Sequence, residues 1–222
     1  MNEQGSESSA PAEGLVQELI EAGIRERRVI EAFRRVPRAT FVPRPWVPRA
    51  YEDRPIPIAH KQVTTQPSLI ARMIEGLRLT GAERVLEVGT GLGFQTAILA
   101  TLAREVFSVE LFPELSEAAK ANLRAAGIGN ATLAVGDGTK GLPAHAPFDG
   151  IVVSAAAPAV PPPLVEQLAE GGRLVHPIGP GGRETVVAFR NDGGTLAEDE
   201  FLTEAFFVKL VGEYGLPEER RP

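Results

Sequence analysis

Residues 85–100 read VLEVGTGLGFQTAILA, and the fold turns on this stretch. An apolar run, interrupted only by Glu87, leads into Gly89, Gly91 and Gly93. Gln95, Thr96, Ala97, Ile98 and Leu99 follow with helical character. The pattern is strand, glycine turn, helix. Glycines have no Cβ, so the backbone can turn sharply there and approach a bound ligand closely. Glu87, just before the turn, narrows the choice of ligand. A carboxylate would repel a pyrophosphate, but it would attract a cationic cofactor.

Two further strand ends repeat the theme. Residues 106–110 read VFSVE, an apolar run closed by Glu110. In nucleotide-binding βαβ units a carboxylate about 20 residues beyond the glycine turn holds the ribose hydroxyls, and Glu110 falls in that place. Residues 131–135 form another apolar run, followed by Gly136, Asp137 and Gly138. Asp137 would sit on the same rim and could accept from an adenine amino group. Three strand ends in order, each with an acidic group, point to S-adenosylmethionine rather than a dinucleotide, because its sulfonium and ammonium are positive.

Composition sets the outer bounds. The chain has 222 residues and 43% hydrophobic residues, enough for one large core with an added cap. A net charge of −6 argues against nucleic-acid binding through a basic surface. The chain contains no cysteine, which excludes disulfides, thiolate metal sites and cysteine nucleophiles. His60, His145 and His176 are far apart and share no metal-ligand spacing, so no metal is expected. All three are expected on the surface, in a loop or on an edge strand. No apolar run approaches the ~20 residues of a membrane span. The polar, acidic N-terminus lacks the pattern of a signal peptide. These features predict a cytoplasmic monomer without a membrane partner.

Four segments are expected along the chain: a disordered tail over 1–13, a helical cap with a substrate loop over 14–80, a cofactor-binding core over 81–214, and a frayed tail over 215–222. In the cap, apolar spacing predicts helices over 15–22, 27–35 and 68–77, the last with Ser68 as N-cap. In the core, strands are predicted near 84–88, 106–110, 131–135, 149–154 and 173–178. Helices are predicted near 95–103, 114–126 and 163–170. This alternation implies a mostly parallel sheet with helices on both faces and ligands beyond the carboxyl ends of the strands. Segments 184–189 and 205–211 read as an antiparallel pair closing the sheet. About seven strands result, with 84–88 central.

At this point the residues resemble the bacterial-type protein-L-isoaspartate O-methyltransferase family. The likeness runs from Gly23 to Gly212. It is carried by VPRATFVP (36–43), AYEDRPIPI (50–58), TTQPSLIARM (64–73), LEVGTGLGFQTAILA (86–100), the long stretch 136–179 beginning GDGTKGLPAHAPFDG, and FFVKLVG (206–212). The resemblance implies a Rossmann-like class I methyltransferase fold. It implies that S-adenosylmethionine donates a methyl group to the carboxylate of L-isoaspartyl residues in damaged proteins or peptides. The ester then closes to a succinimide, which returns part of the material to aspartate. By position it assigns Glu87, Gly89, Thr90, Gly91, Glu110, Leu111, Asp137 and Gly138 to the cofactor. It places Thr65 where the family has the serine that meets the acceptor carboxylate. Gln62 and the backbone near Val208 flank that pocket, and Lys61 beside them could attract a carboxylate.

The departures lie in the acceptor loop. The family reads PIGxGQTISxP, and this chain reads PIAHKQVTTQP. Ala59 and Lys61 stand where glycines are expected, Val63 replaces a threonine, and Lys209 replaces a proline. A different loop path is therefore expected. Two other readings accompany the repair enzyme: a relative that methylates one particular aspartate of a biosynthetic peptide to form an aspartimide, and a cofactor-binding regulator without transfer activity. A carboxylate with a pKa near 4 is already a nucleophile at neutral pH. The chemistry therefore asks for orientation and exclusion of water rather than for a catalytic base.

Overall fold

The computed structural model describes residues 10–180 and 182–217. Five parallel strands form the heart of a seven-stranded sheet: β3 (Arg84–Val88), β4 (Glu105–Glu110), β5 (Ala131–Val135), β6 (Phe148–Val153) and β7 (Leu168–Ile178). The antiparallel β8 (Arg183–Asp192) and β9 (Thr195–Phe206) extend one side, giving the order β5-β4-β3-β6-β7-β8-β9. β3 is the middle of the five parallel strands. Chain order reverses on either side of it, with β4 and β5 to one side and β6 and β7 to the other. Such a switch point opens a crevice at the carboxyl ends of the strands. A two-residue pair, β1 (Ile56–Pro57) and β2 (Val63–Thr64), stands apart as a small hairpin.

Alternation along the strands divides the core. Val85 and Val106 face a large cluster with α1 (Ala10–Glu21), α2 (Arg27–Arg35), α3 (Pro67–Leu77) and α4 (Phe94–Leu102). α5 (Pro113–Ala125) joins it through Leu123. Leu86, Val88, Phe107 and Val109 face a second cluster, which α6 (Pro162–Glu166) closes with Leu164. Among the described residues no helix is long and apolar enough to cross a membrane.

Several elements differ from the sequence expectation. α1 begins at Ala10, so part of the expected polar tail is helical; residues 1–9 lie outside the described residues. The helix expected to 170 ends at Glu166, because Leu168 already pairs with Phe148 across a register shift in β7. The closing hairpin pairs 183–192 with 195–206 around Gly193 and Gly194, so residues 207–211 are free to serve the crevice instead. Ser68 is not the N-cap of α3. Gln66 holds that place with Pro67 following, and the Ser68 N–H is met by Asp53 Oδ1 at 2.7 Å. In the expected C-terminal tail, Leu216 bridges Val211; residues 218–222 lie outside the described residues. His176 is not a surface residue. It is fully buried in β7, and burial pushes its imidazole down to about 4, so it is neutral. His145 is exposed and stacks on Phe107.

Candidate active site

The turn after β3 builds the floor of the crevice. Gly89 has φ +97°, a left-handed value that strains any residue with a side chain. A Cβ there would also come within 3.3 Å of Ser154 Cβ at the end of β6. On the neighbouring strand end, a Cβ on Gly138 would lie 2.5 Å from Val88 Cγ1. Both glycines thus let two strand ends close on each other without losing the groove between them.

Glu110 stands at the tip of β4 and is 5% exposed. Its Oε2 accepts from the Gly91 N–H at 2.8 Å, and Oε1 accepts from the Phe112 N–H at 3.0 Å. The carboxylate is thereby fixed at the crevice mouth with lone pairs left over, a donor-accepting group suited to a vicinal diol.

Glu87 has a different position from the one its sequence context suggested. Strand alternation puts it on the face of Val85, against α4, rather than at the ligand groove. It is fully buried. It accepts from Ser108 Oγ at 2.6 Å, from Gln95 Nε2 at 3.1 Å and from Thr96 Oγ1. Thr90 Oγ1 bonds Ser108 Oγ in turn, so the turn, β4 and α4 meet at one carboxyl group. Burial pushes the Glu87 carboxyl up to about 7, the Ser108, Thr96 and Gln95 bonds pull against it, and the charge of Glu110 adds to the rise.

This shift makes a stability prediction. The unfolded carboxyl ionises near its ordinary 4.5 and the folded one near 7, so between those values only the folded state keeps the proton. The contribution is full below the lower value and is lost as pH rises to the upper one, by roughly 3 kcal/mol. Glu87→Gln keeps the shape and removes the titration. Urea unfolding across that window should slope downward with pH in the parent and lie flatter in the variant. Parallel slopes would take the effect away from Glu87.

Asp137 is engaged by the C-terminal segment. It accepts from the Glu213 N–H at 2.8 Å, the Thr139 N–H at 2.9 Å and Thr139 Oγ1 at 2.6 Å. Partial burial raises its pKa, but these donors outweigh that and hold it below the ordinary value. Lys140 pairs with Glu213 beside it.

The opposite wall comes from the cap. Arg38, 1% exposed, reaches through it and donates to the carbonyls of Ala50, Glu52 and Arg54 at 2.8–3.0 Å, and to Thr64 Oγ1 at 3.4 Å. Burial lowers its pKa to about 10, against the favourable charge of Asp53. Asp53 in turn accepts from Gln66 Nε2 at 2.8 Å. Residues 50–54 and 64–68 are therefore tied together under the hairpin of β1 and β2. The sequence motifs marked this region but gave no sign that Arg38 and Asp53 organise it.

At the hairpin tip His60 and Lys61 both have φ +57°. For residues with side chains this costs about 1–2 kcal/mol each. Lys61 keeps the left-handed backbone at a position where the resemblance expects glycine, and Ala59 has a negative φ. The departures therefore leave a tight turn, closed by Ile58 N–H to Gln62 O at 2.9 Å.

The walls meet around a cleft of about 110 Å³. Gln62, Thr65 and Val208 line it from the cap side and the 207–211 segment; Gly89, Glu110, Leu111 and Gly138 line it from the strand ends. The segment is held by bonds between Ala156 and both Val208 and Leu210, each 2.8 Å. Ser154 and Ala155 also line the cleft; the sequence position of residues 155–158 after the fourth core strand suggests a place beside the methyl donor, whereas nothing in the sequence marks Ser154. Lys61, Glu87, Thr90, Gly91 and Asp137 are not on its walls. Thr90 and Glu87 lie behind the turn, and Gly91 contributes its N–H to Glu110. A rim carboxylate with lone pairs left over and a groove whose glycines admit no Cβ fit the adenosyl cofactor expected from the sequence.

Known proteins are similar to this chain in sequence and fold. The family pattern described as protein-L-isoaspartate(D-aspartate) O-methyltransferase matches residues 10–215. The protein-L-isoaspartate O-methyltransferase of Anaeromyxobacter dehalogenans is 53% identical over 191 residues, covering 85% of this chain and 91% of that protein. The one from Methanoculleus marisnigri is 45% identical over 200 residues, 90% of each chain. A solved protein-L-isoaspartate O-methyltransferase superimposes with a TM-score of 0.83 at 30% identity, over 92% of this chain and 67% of that one. A Plasmodium falciparum structure of the same family description, in complex with S-adenosyl-L-homocysteine, has a TM-score of 0.78 over 90% of this chain and 98% of that one. At 22% identity it speaks for the fold.

Proposed function

The chain belongs to the protein-L-isoaspartate(D-aspartate) O-methyltransferase family, and on that premise we propose how its residues carry out methyl transfer to L-isoaspartyl carboxylates of damaged proteins and peptides. The observation that carries the reading is the cleft itself. One wall presents Glu110 and the glycine turn, the other presents Thr65, Gln62 and Val208, and they face each other across one narrow space.

When bound, S-adenosylmethionine supplies an electrophilic methyl group on a sulfonium. Glu110 would hold its ribose hydroxyls. Gly89, Gly138 and Leu111 would line the room for the rest of the cofactor. Thr90, Gly91, Glu87 and Asp137 act from behind, keeping the turn and the rim in place. The acceptor carboxylate needs no base, since it is ionised at neutral pH. Thr65 Oγ1 donates to it, Gln62 and the Val208 backbone flank it, and Lys61 adds a positive charge nearby. Residues 14–80 serve as the cap that brings this loop over the core of 81–214. On the same reading the protein works in the cytoplasm as a monomer on protein or peptide substrates, without nucleic acid.

Release of methanol from an isoaspartyl peptide, compared with its aspartyl twin, tests the function directly. Activity on several unrelated isoaspartyl peptides and none on the twins is expected. Activity confined to one aspartyl partner would favour an aspartimide-forming relative, and cofactor binding without any turnover would favour a regulator. The role of Thr65 has its own test. Thr65→Val keeps the shape and removes the donor, so turnover should fall about tenfold or more with cofactor affinity intact. Thr65→Ser should retain much of the activity. Equal rates for Thr65→Val and the parent would leave the acceptor to backbone donors alone.

A further inference from the structure

We propose that His60 is a positioning residue that ties the acceptor loop to the cofactor-side end of β4, an inference that rests on the methyltransferase reading above. Ala59, His60 and Lys61 are exposed. Within the turn, Gln62 bonds to its loop neighbours: its N–H to Ala59 O at 3.1 Å, and its Nε2 to His60 O at 3.1 Å. These bonds shape the turn but do not locate it against the core. The His60 ring does so. It lies flat on Phe112, with centroids 4.3 Å apart and planes 10° from parallel. Its Nε2 is 3.4 Å from Glu114 Oε2 at the start of α5.

Phe112 is the other half of the link. It lines the cleft, and its N–H is the one that occupies Glu110 Oε1. A connected path thus runs from Glu110 through the Phe112 backbone and ring to the imidazole, and from there to Gln62 and Thr65. A diol at Glu110 would share the carboxylate oxygens with the Phe112 and Gly91 N–H groups, which would link the position of Phe112 to cofactor occupancy. The left-handed backbone at His60 and Lys61 is intrinsically unfavourable. The ring contact and the Glu114 pair hold the turn against the start of α5 in that conformation. Cofactor occupancy and acceptor-loop order are therefore coupled through this stack.

Hydrogen exchange of residues 56–66 tests the coupling without any acceptor. The full chain is measured with and without S-adenosylhomocysteine, as the parent and as His60→Gly and His60→Phe. Glycine accepts the backbone conformation and removes the ring; phenylalanine keeps a stacking ring and removes the Glu114 pair. The expected result is slower exchange on adding S-adenosylhomocysteine in the parent and in His60→Phe, and no such slowing in His60→Gly. In turnover, His60→Gly should lower kcat/KM for an isoaspartyl peptide about tenfold or more, with rescue by His60→Phe. Equal protection in His60→Gly and the parent would overturn the proposal. So would a His60→Phe variant as impaired as His60→Gly. If the parent turns over no isoaspartyl peptide, the methyltransferase reading fails on its own, and the exchange result still decides the role of His60.

Discussion

Arg38→Lys is expected to destabilise the protein by about 3–5 kcal/mol, more than Arg38→Met does. The guanidinium is buried and spreads its donors over the carbonyls of Ala50, Glu52 and Arg54. A lysine keeps the charge in the same low-dielectric place but is a single point donor, without the planar fork that reaches all three. Breaking the partners of a buried charge costs about 3–5 kcal/mol, because the charge stays desolvated and uncompensated. Methionine also leaves carbonyls unpaired, at about 2 kcal/mol, but it removes the ion, whose burial already lowers the Arg38 pKa to about 10. In a chain of this size the lysine variant should melt about 10 °C lower. Since Arg38 anchors the segment whose Asp53 meets Gln66 and Ser68, acceptor turnover should fall with it. A lysine variant as stable as the parent would show that the three carbonyls find water without cost.

The second large effect is on cofactor affinity. Glu110→Ala should weaken S-adenosylhomocysteine binding by one to two powers of ten, since charge-assisted hydrogen bonds to neutral partners contribute about 1.5–3 kcal/mol. The loss has two sources. The diol loses its acceptor, and the N–H groups of Gly91 and Phe112 lose the carboxylate that aligns the turn with the tip of β4. Glu110→Gln should fall between parent and alanine, because its amide oxygen replaces only one acceptor and carries no charge. Titration calorimetry reads all three. Unchanged affinity in Glu110→Ala would remove this residue from the ribose role.

Legibility differed from residue to residue, for physical reasons. The β3 turn was readable because apolar runs and glycines report local backbone chemistry. Glu110 was readable because its spacing from the turn is set by one helix and one strand. The end of α6 was not, since the run 162–170 is apolar enough for either element, and the pairing of Leu168 with Phe148 decides it. Apolar character places the second strand of the closing hairpin at 205–211. β9 instead takes 195–206, with acidic residues on its exposed positions and Phe201 and Phe206 left open to solvent. His176 is no edge residue: β8 lies beside β7, and His176 shares the strand face of Leu174 and Ile178, which packs into the second cluster.

By itself the amino-acid sequence determined the alternating strands and helices, the glycine turn and the acidic strand ends. Each of these follows from periodicity, or from backbone freedom, within a few neighbouring residues. The motifs also assigned the chemistry to one crevice. Only the tertiary structure decided which acidic groups face that crevice. Glu87 and Glu110 both stand near the ends of apolar runs. Glu87 sits within β3, where packing against α4 directs it to Ser108, Gln95 and Thr96, whereas Glu110 closes β4 at the open rim. The acceptor wall likewise depends on contacts between distant segments, from Arg38 to residues 50–54 and from His60 to Phe112. Such contacts obey no spacing rule along the chain, because they form only once the cap has folded against the sheet.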